Sequence, residues 1–309
     1  MNISDYYSSC TLCPRKCKVN RHSTFGFCRE GATPTIAWYG LHKGEEYPIS
    51  GEHGSGMLFF KGCSLGCPIC QNNQISINSR SFTNYKLSSV EEMADMMINA
   101  QNQKAASISF VTAEHFAPHV VGAISTAREK GLVIPTVFNT SGFINKSTID
   151  MLIPYIDIWL WDTKTLSPLV AKKYFGSELY PHSEEESLEY LCSLTDKSDM
   201  ECKSPHGIIV RHLVLPHCIQ ESEEVIKNFA EKYKDKCYFS LMYQFIPPQN
   251  ASEELKKRLT QEDSEYLENV LFENGIENGF IQELDNNEEI WRPDFNRSNP
   301  FPDGFATRL

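Results

Sequence analysis

The sequence predicts an α/β fold: a partial (βα)6 barrel with parallel strands, preceded by a cysteine-rich extension and followed by a helix and hairpin tail. Three observations lead there. Short apolar runs alternate six times with helix-like stretches between residues 51 and 250, the pattern of parallel strands joined by right-handed crossovers. Polar residues gather just past the ends of those runs, where parallel sheets and barrels collect their chemistry. Seven of the eleven cysteines fall in the first 70 residues, ahead of and beside the first run.

The elements follow in order. Residues 1–50 hold "CTLCPRKC" (10–17) and Cys28 with little periodicity, so they read as a metal-stapled extension ending in the turn-rich "YPISGEHGSG". The barrel core is expected over 51–250. Its first strand is "MLFF" (57–60). "SSVEEMADMMINAQNQ" (88–103) opens with a serine cap and sets Val90, Met93, Met97 and Ile98 near one face, a helix. "ASISFVT" (106–112) is a strand, "PHVVGAISTAREKG" (118–131) a helix stopped by glycine, and "VIPTVFNTSG" (133–142) a strand running into a polar turn. A short helix, "KSTIDMLIPY", leads to the strand "IDIWLWDTK" (156–164), and acidic helical sequence fills 183–199. "GIIVRHLVLP" (207–216), "SEEVIKNFAEKY" (222–233) and "CYFSLMYQFIPP" (237–248) complete the series as strand, helix and strand. The tail, 251–309, carries a charged helix over 252–275 and then a hairpin turning at "DNNE" (285–288).

Composition narrows the function. With 41% apolar and 22% charged residues the chain is ordinary for a globular protein, and its net charge of −11 argues against a nucleic-acid or anionic-membrane footprint. The N-terminus "MNISDYYSSC" lacks the basic and apolar regions of a signal peptide. No apolar run approaches the ~20 residues that span a membrane, so a cytoplasmic protein is expected. In a reducing compartment, close-spaced cysteines indicate metal rather than disulfides.

The chemistry concentrates in "FFKGCSLGCPIC", where Cys63, Cys67 and Cys70 stand in a C-x3-C-x2-C spacing. Three thiolates leave one position of a metal or cluster open, and open positions mark catalytic sites. Short-spaced cysteines suit iron–sulfur ligation. Gly62, Gly66 and Pro68 allow a tight loop. The competing reading is a structural zinc knuckle that borrows a fourth ligand. Upstream, Cys10, Cys13, Cys17 and Cys28 form C-x2-C-x3-C-x10-C; four ligands can close a zinc site or hold a second iron–sulfur cluster, and spacing does not separate the two. Cys192, Cys202, Cys218 and Cys237 are scattered and read mostly as buried free thiols.

The three-cysteine loop after a first strand, in a chain of about six βα units, resembles the radical S-adenosylmethionine (radical SAM) superfamily. "CTLCPRKCKVNR", "GSGMLFFKGCSLGCPICQN", "NTSGF", "RHLVLP" and "PDFN" are similar to the group around the pyruvate formate-lyase activating enzyme. Ile69 stands where many members carry an aromatic residue. The resemblance implies a [4Fe–4S] cluster on Cys63, Cys67 and Cys70. It implies S-adenosylmethionine on the iron without a cysteine, reductive cleavage of that cofactor to a 5′-deoxyadenosyl radical, and hydrogen abstraction from a substrate. Activation of a glycyl radical enzyme, action on a small molecule or peptide, and a non-catalytic iron–sulfur or zinc protein are the three functions considered. A flavodoxin- or ferredoxin-type electron donor is implied, with a protein substrate under the first.

Carried over position by position, the resemblance implies S-adenosylmethionine contacts at Thr112, Glu114, Asn139, Thr140, Asp162, Lys164, Arg211 and Gln244. Activating enzymes place a Gly-Gly-Glu-type turn where this chain has Thr112, Ala113 and Glu114, and a glycine where it has His217. They place a histidine where it has Gln244. Asp162 would accept from a ribose hydroxyl and Lys164 would pair with a carboxylate; a capped turn with a salt bridge is the bland alternative. Glu114 reads equally as a solvated loop carboxylate, and His212 as a packed strand residue.

Overall fold

The computed structural model describes residues 2–248, 251–284 and 291–309. Its helices are α1 (Asp5–Ser8), α2 (Tyr47–Ser50), α3 (Val90–Asn102), α4 (Ala117–Glu129), α5 (Lys146–Leu152), α6 (Pro168–Phe175), α7 (Tyr180–Leu194), α8 (Ile219–Lys232), α9 (Glu253–Lys256) and α10 (Gln261–Glu273). Its strands are β1 (Thr35–His42), β2 (Ser55–Phe60), β3 (Lys86–Leu87), β4 (Ile108–Val111), β5 (Thr136–Thr140), β6 (Ile158–Asp162), β7 (Gly207–Leu213), β8 (Tyr238–Met242), β9 (Gly279–Ile281) and β10 (Ala306–Arg308).

One sheet takes all of these strands in the order β10-β1-β2-β4-β5-β6-β7-β8-β9, with β3 beside β1. From β2 to β9 every neighbouring pair is parallel. The six expected strands are therefore consecutive neighbours in the sheet, the order of a barrel rather than of a doubly wound sheet. Its two faces differ. Outward residues such as Phe138, Trp159, Trp161, Val210 and Phe239 join the main core, which the helices cover. Inward residues Val137, Ile158, Leu160 and Ile209 close a smaller cluster around Ile49 of α2 and Met200. Ser107, just before β4, donates to the Ile49 carbonyl at 2.8 Å, so this plug sits at the N-terminal ends of the strands. Above it the inward positions turn polar. The register sets Asp162, Arg211 and Ser240 side by side across β6, β7 and β8.

Local signals hold where they are strong. Ser89 caps α3 with a reciprocal Ser89–Glu92 capping box. Three readings change. The tract "TIAWYGLH" is not part of an irregular extension but β1, antiparallel to β2; its β-branched and aromatic residues are the signal that was available. The charged C-terminal helix is broken, because Lys257 is extended and Thr260 starts α10 with its own capping box. In the tail, β9 adds parallel to β8 and β10 adds antiparallel to β1 at the opposite edge, so these strands do not form a hairpin with each other. The expected turn at 285–288 lies outside the described residues. Among the described residues no helix is long and apolar enough to cross a membrane.

Candidate cysteine-lined active site

A cavity of about 500 Å³ opens at the C-terminal ends of the parallel strands. Residues from β1 at one side of the sheet and from β9 at the other both line it, so the sheet is rolled around it. Cys63, Cys67 and Cys70 all face this cavity. Their loop starts immediately after β2 and is held by unusual backbone. Gly62 has φ +82° and packs so closely that a Cβ there would meet the Cys28 carbonyl oxygen at 2.4 Å, which only glycine tolerates. Arg15, from the N-terminal cysteine group, donates to the carbonyls of Ser64 (3.1 Å), Leu65 (2.9 Å) and Gly176 (3.0 Å).

Burial pushes all three thiols up, Cys63 to about 12 with the Glu114 charge adding to the effect. Cys67 stays well above its ordinary value although Lys164 draws it back, and Cys70 is raised as well. Bare thiolates are disfavoured here, and a metal centre supplies the positive charge that lets such sulfurs ionise. Among the described residues no three His, Cys, Asp or Glu side chains converge on one ion position. A four-iron cluster takes its thiolates on separate irons and needs no such convergence, so three cysteines facing one cavity fit that group.

Of the eight positions carried over from the resemblance, Thr112, Asn139, Asp162, Lys164, Arg211 and Gln244 line the cavity. Thr112 directly follows β4 with φ +56°, the left-handed conformation that costs a β-branched residue about 1–2 kcal/mol. The backbone thus keeps a turn suited to glycine, and His217 does the same at φ +64°. Asp162 at the end of β6 and Lys164 two residues beyond it both line the cavity and bond to each other at 2.6 Å. Burial lowers the Lys164 ammonium, but Asp162 and the nearby cysteines raise it further, so it stays charged. Gln244 faces the cavity with its Oε1 buried and without a partner among the described residues.

Glu114 and Thr140 do not line the cavity. Glu114 is fully buried, and its Oε1 accepts from the Thr140 hydroxyl at 2.5 Å and from the Ser141 amide at 3.2 Å. Through Oε1 it braces the turn after β5, while its Oε2 is buried and has no hydrogen-bond partner among the described residues. Burial raises its pKa, and its hydrogen bonds pull it only part of the way back.

Arg211 is the larger surprise. Its guanidinium reaches across the barrel to Glu45 and Glu46, on the short link between β1 and α2; the Nε–Glu46 Oε1 bond is 2.9 Å. All three side chains are 10% exposed or less. The arginine is therefore neutralised by the protein itself rather than waiting for an anionic ligand. Burial pushes Glu46 up, but the charge and hydrogen bonds of Arg211 outweigh it and hold the carboxyl below its ordinary range. His212, its neighbour in sequence, points outward and bonds Thr163 O (2.8 Å) and Ser222 Oγ (2.9 Å), the packed alternative.

Sequence reasoning missed His42, Glu45, Glu46, Gln71, Ser240, Trp291, Phe301 and Phe305, all of which line the cavity. Gln71 follows Cys70 and donates to the carbonyls of Gln244 (3.1 Å) and Trp291 (3.0 Å). Gln74 bonds Asp294 and Phe295 in "PDFN" (2.9 and 2.8 Å). Together they pin the tail across the mouth. The paired glutamines of "CQNNQ" were the legible signal.

Comparison with known proteins adds the following. No protein-family model matches the chain. An uncharacterized protein of Methanocaldococcus jannaschii is 26% identical over 264 residues, 84% of this chain and 73% of that one. Streptococcus suis SuiB bound to S-adenosylmethionine superposes with a TM-score of 0.51 at 15% identity, over 72% of this chain and 48% of that one. A radical SAM methyltransferase from Sphaerobacter thermophilus gives 0.50 at 13% identity, over 73% and 66%. The chain shares the fold of these two structures. The chain spans about half the length of SuiB, which has also been solved with its precursor peptide SuiA.

Proposed function

We propose that this protein is a radical SAM enzyme whose cluster is held by Cys63, Cys67 and Cys70. The observation that carries the reading is the placement of three cysteines on one cavity at the C-terminal mouth of a rolled parallel sheet. When bound, the cluster and S-adenosylmethionine supply reductive cleavage of that cofactor and, from it, hydrogen-atom abstraction. The protein binds, orients and excludes water. The left-handed Thr112 turns the end of β4 toward the cavity, where its backbone can meet an amino group. The Asp162–Lys164 pair offers an acceptor for hydroxyls beside a fixed cation. Trp291, Phe301 and Phe305 cover the mouth with aromatic surface, which keeps water from a reactive centre. The Arg211–Glu45–Glu46 cluster fixes the inner wall facing a substrate.

The finer reading is activation of a glycyl radical enzyme, supported by the sequence motifs. A small-molecule or peptide substrate is the alternative, and the peptide-bound SuiB structure supports the peptide class. The test is anaerobic reconstitution with iron and sulfide, reduction with dithionite and addition of S-adenosylmethionine. 5′-Deoxyadenosine is expected from the wild type and not from Cys67→Ala. Absence of product from protein carrying an intact, reducible cluster on these cysteines overturns the enzyme reading. Radical formation on a glycine-bearing partner distinguishes activation from the alternative.

A further inference from the structure

Charge does not balance inside the barrel. The described residues that line the cavity include Glu45, Glu46 and Asp162 against Lys164 and Arg211. Asp162 and Lys164 neutralise each other at 2.6 Å. Two carboxyl groups then face one guanidinium. Arg211 gives Glu46 both its Nε and its Nη2, and reaches Glu45 through Nη2 alone, at Oε2. The other Glu45 oxygen, Oε1, accepts no hydrogen bond among the described residues. The side chain is 9% exposed, and this oxygen opens onto the cavity. A buried carboxylate calls for a paired cation or a donor on each oxygen, and Oε1 has neither.

His42 is the neighbouring basic group, with Nδ1 3.8 Å from Oε1. That nitrogen accepts from the Gly44 amide at 3.2 Å, so it presents a lone pair and has no proton to give. Burial lowers the His42 pKa, and the Arg211 charge adds to this against the pull of Glu45; the ring stays neutral. Aromatic rings complete the surroundings. The His42 ring meets Phe301 and Phe305 edge to face, with centroids 4.7 and 4.9 Å away, and all three line the cavity together with Phe59. A carboxylate beside aromatic surface is the chemistry that takes organic cations. An inorganic ion fits less well, because among the described residues no three His, Cys, Asp or Glu side chains converge on one position. One open oxygen suits the point donor of an ammonium rather than the planar fork of a guanidinium.

We propose that Glu45 Oε1 anchors an alkylammonium group of the substrate, with Phe301 and Phe305 flanking it. Ile49, on α2 just beyond Glu45, plugs the N-terminal side of the sheet, whereas the cysteine loop follows the C-terminal end of β2. A molecule held by its ammonium at Glu45 therefore extends toward Cys63, Cys67 and Cys70. The proposal rests on the radical SAM reading only in calling that molecule the substrate. A free amine and the lysine side chain of a peptide present the same group.

Calorimetric titration of the full chain, reconstituted without oxygen, tests this with n-pentylammonium and with n-pentanol and n-pentanoate as its neutral and anionic counterparts. The ammonium is expected to bind at least about tenfold tighter than the alcohol, the difference a charge-assisted hydrogen bond makes, and the carboxylate more weakly than either. Glu45→Gln keeps the side-chain shape and should weaken the ammonium at least about tenfold while leaving the alcohol unchanged. A merely structural Glu45 would lower Tm without altering the ratio of ammonium to alcohol affinity, and that outcome overturns the proposal. So does ammonium binding that is absent or no tighter than the alcohol, or pentanoate binding tighter than both, which would make Arg211 the recognition group. The wild-type series decides alone should the variant not fold. Nα-acetyl-lysine amide, titrated in parallel, separates the two sources: binding tighter than pentylammonium assigns a peptide, and weaker binding a free amine. The two readings fail separately. A wild type that forms 5′-deoxyadenosine but shows no preference for the ammonium loses only the anchor. One that prefers the ammonium but forms no 5′-deoxyadenosine loses only the enzyme reading.

Discussion

Replacing Arg211 by methionine removes the cation that holds Glu45 and Glu46 inside the barrel. Methionine retains most of the apolar volume, so the charge is the principal loss. Both carboxylates are 9% exposed or less, and stripping one partner from a buried pair costs about 3–5 kcal/mol. For a chain of this size that corresponds to a fall in Tm on the order of 10 °C. The pH dependence is more specific than the magnitude. In the wild type Arg211 holds Glu46 below its ordinary value despite burial, so this stabilisation is present above the unfolded carboxylate pKa and is lost only as pH falls through the lower folded value. In the variant burial acts unopposed. The folded pKa then rises above the unfolded one, and the variant gains stability as pH falls. The gap between wild type and variant, measured by urea denaturation, should be widest near about pH 8 and shrink toward about pH 5.5. Adding Glu45→Gln and Glu46→Gln to the variant should recover part of the loss. A penalty below about 1 kcal/mol, or one equal at both pH values, would refute the claim that the three side chains form a buried charged unit.

Other outcomes follow from the same geometry. Thr112→Gly should raise stability by about 1 kcal/mol, because relief of the left-handed strain exceeds glycine's greater unfolded-state entropy; a lower Tm would show that the threonine side chain is needed. Burial raises Glu184 to about 7, against the pull of hydrogen bonds from Thr163 and Trp161. Its folded pKa exceeds the unfolded one, so its contribution weakens as pH rises through that value. Glu184→Gln should therefore stabilise the protein by on the order of 2–3 kcal/mol near about pH 8 and by little near about pH 5, in parallel denaturation curves. Arg15→Ala should cost about 1–3 kcal/mol by leaving loop carbonyls without a donor and should speed amide exchange over residues 62–67. Unchanged exchange would mean that the backbone contacts alone hold the loop.

The alternation of strand and helix, and the three-cysteine loop after the first core strand, were legible in the sequence because both are local. Periodicity, caps and close cysteine spacing report on neighbours a few residues apart. The shared direction of Asp162 and Lys164, two residues apart, is a local relation of the same kind. What stood outside the sequence was set by contacts between distant residues. Arg211 could be recognised as needing an anionic partner, but Glu45 and Glu46 stand about 165 residues away and become its partners only when α2 plugs the rolled sheet. Glu114 is drawn to the turn at Thr140 and Ser141, 26 and 27 residues away, which one of its oxygens braces. Thr112 and His217 lack the hydrogen-only side chain that would announce a left-handed turn, and the surrounding fold imposes that conformation on them. The Cys28–Cys63 contact, from the Cys63 amide to the Cys28 carbonyl at 3.3 Å, arises because β1, hidden in an apparently irregular extension, lies antiparallel to β2 and carries the N-terminal cysteines to the loop. Local propensity chose the elements; packing across the barrel decided which side chains meet.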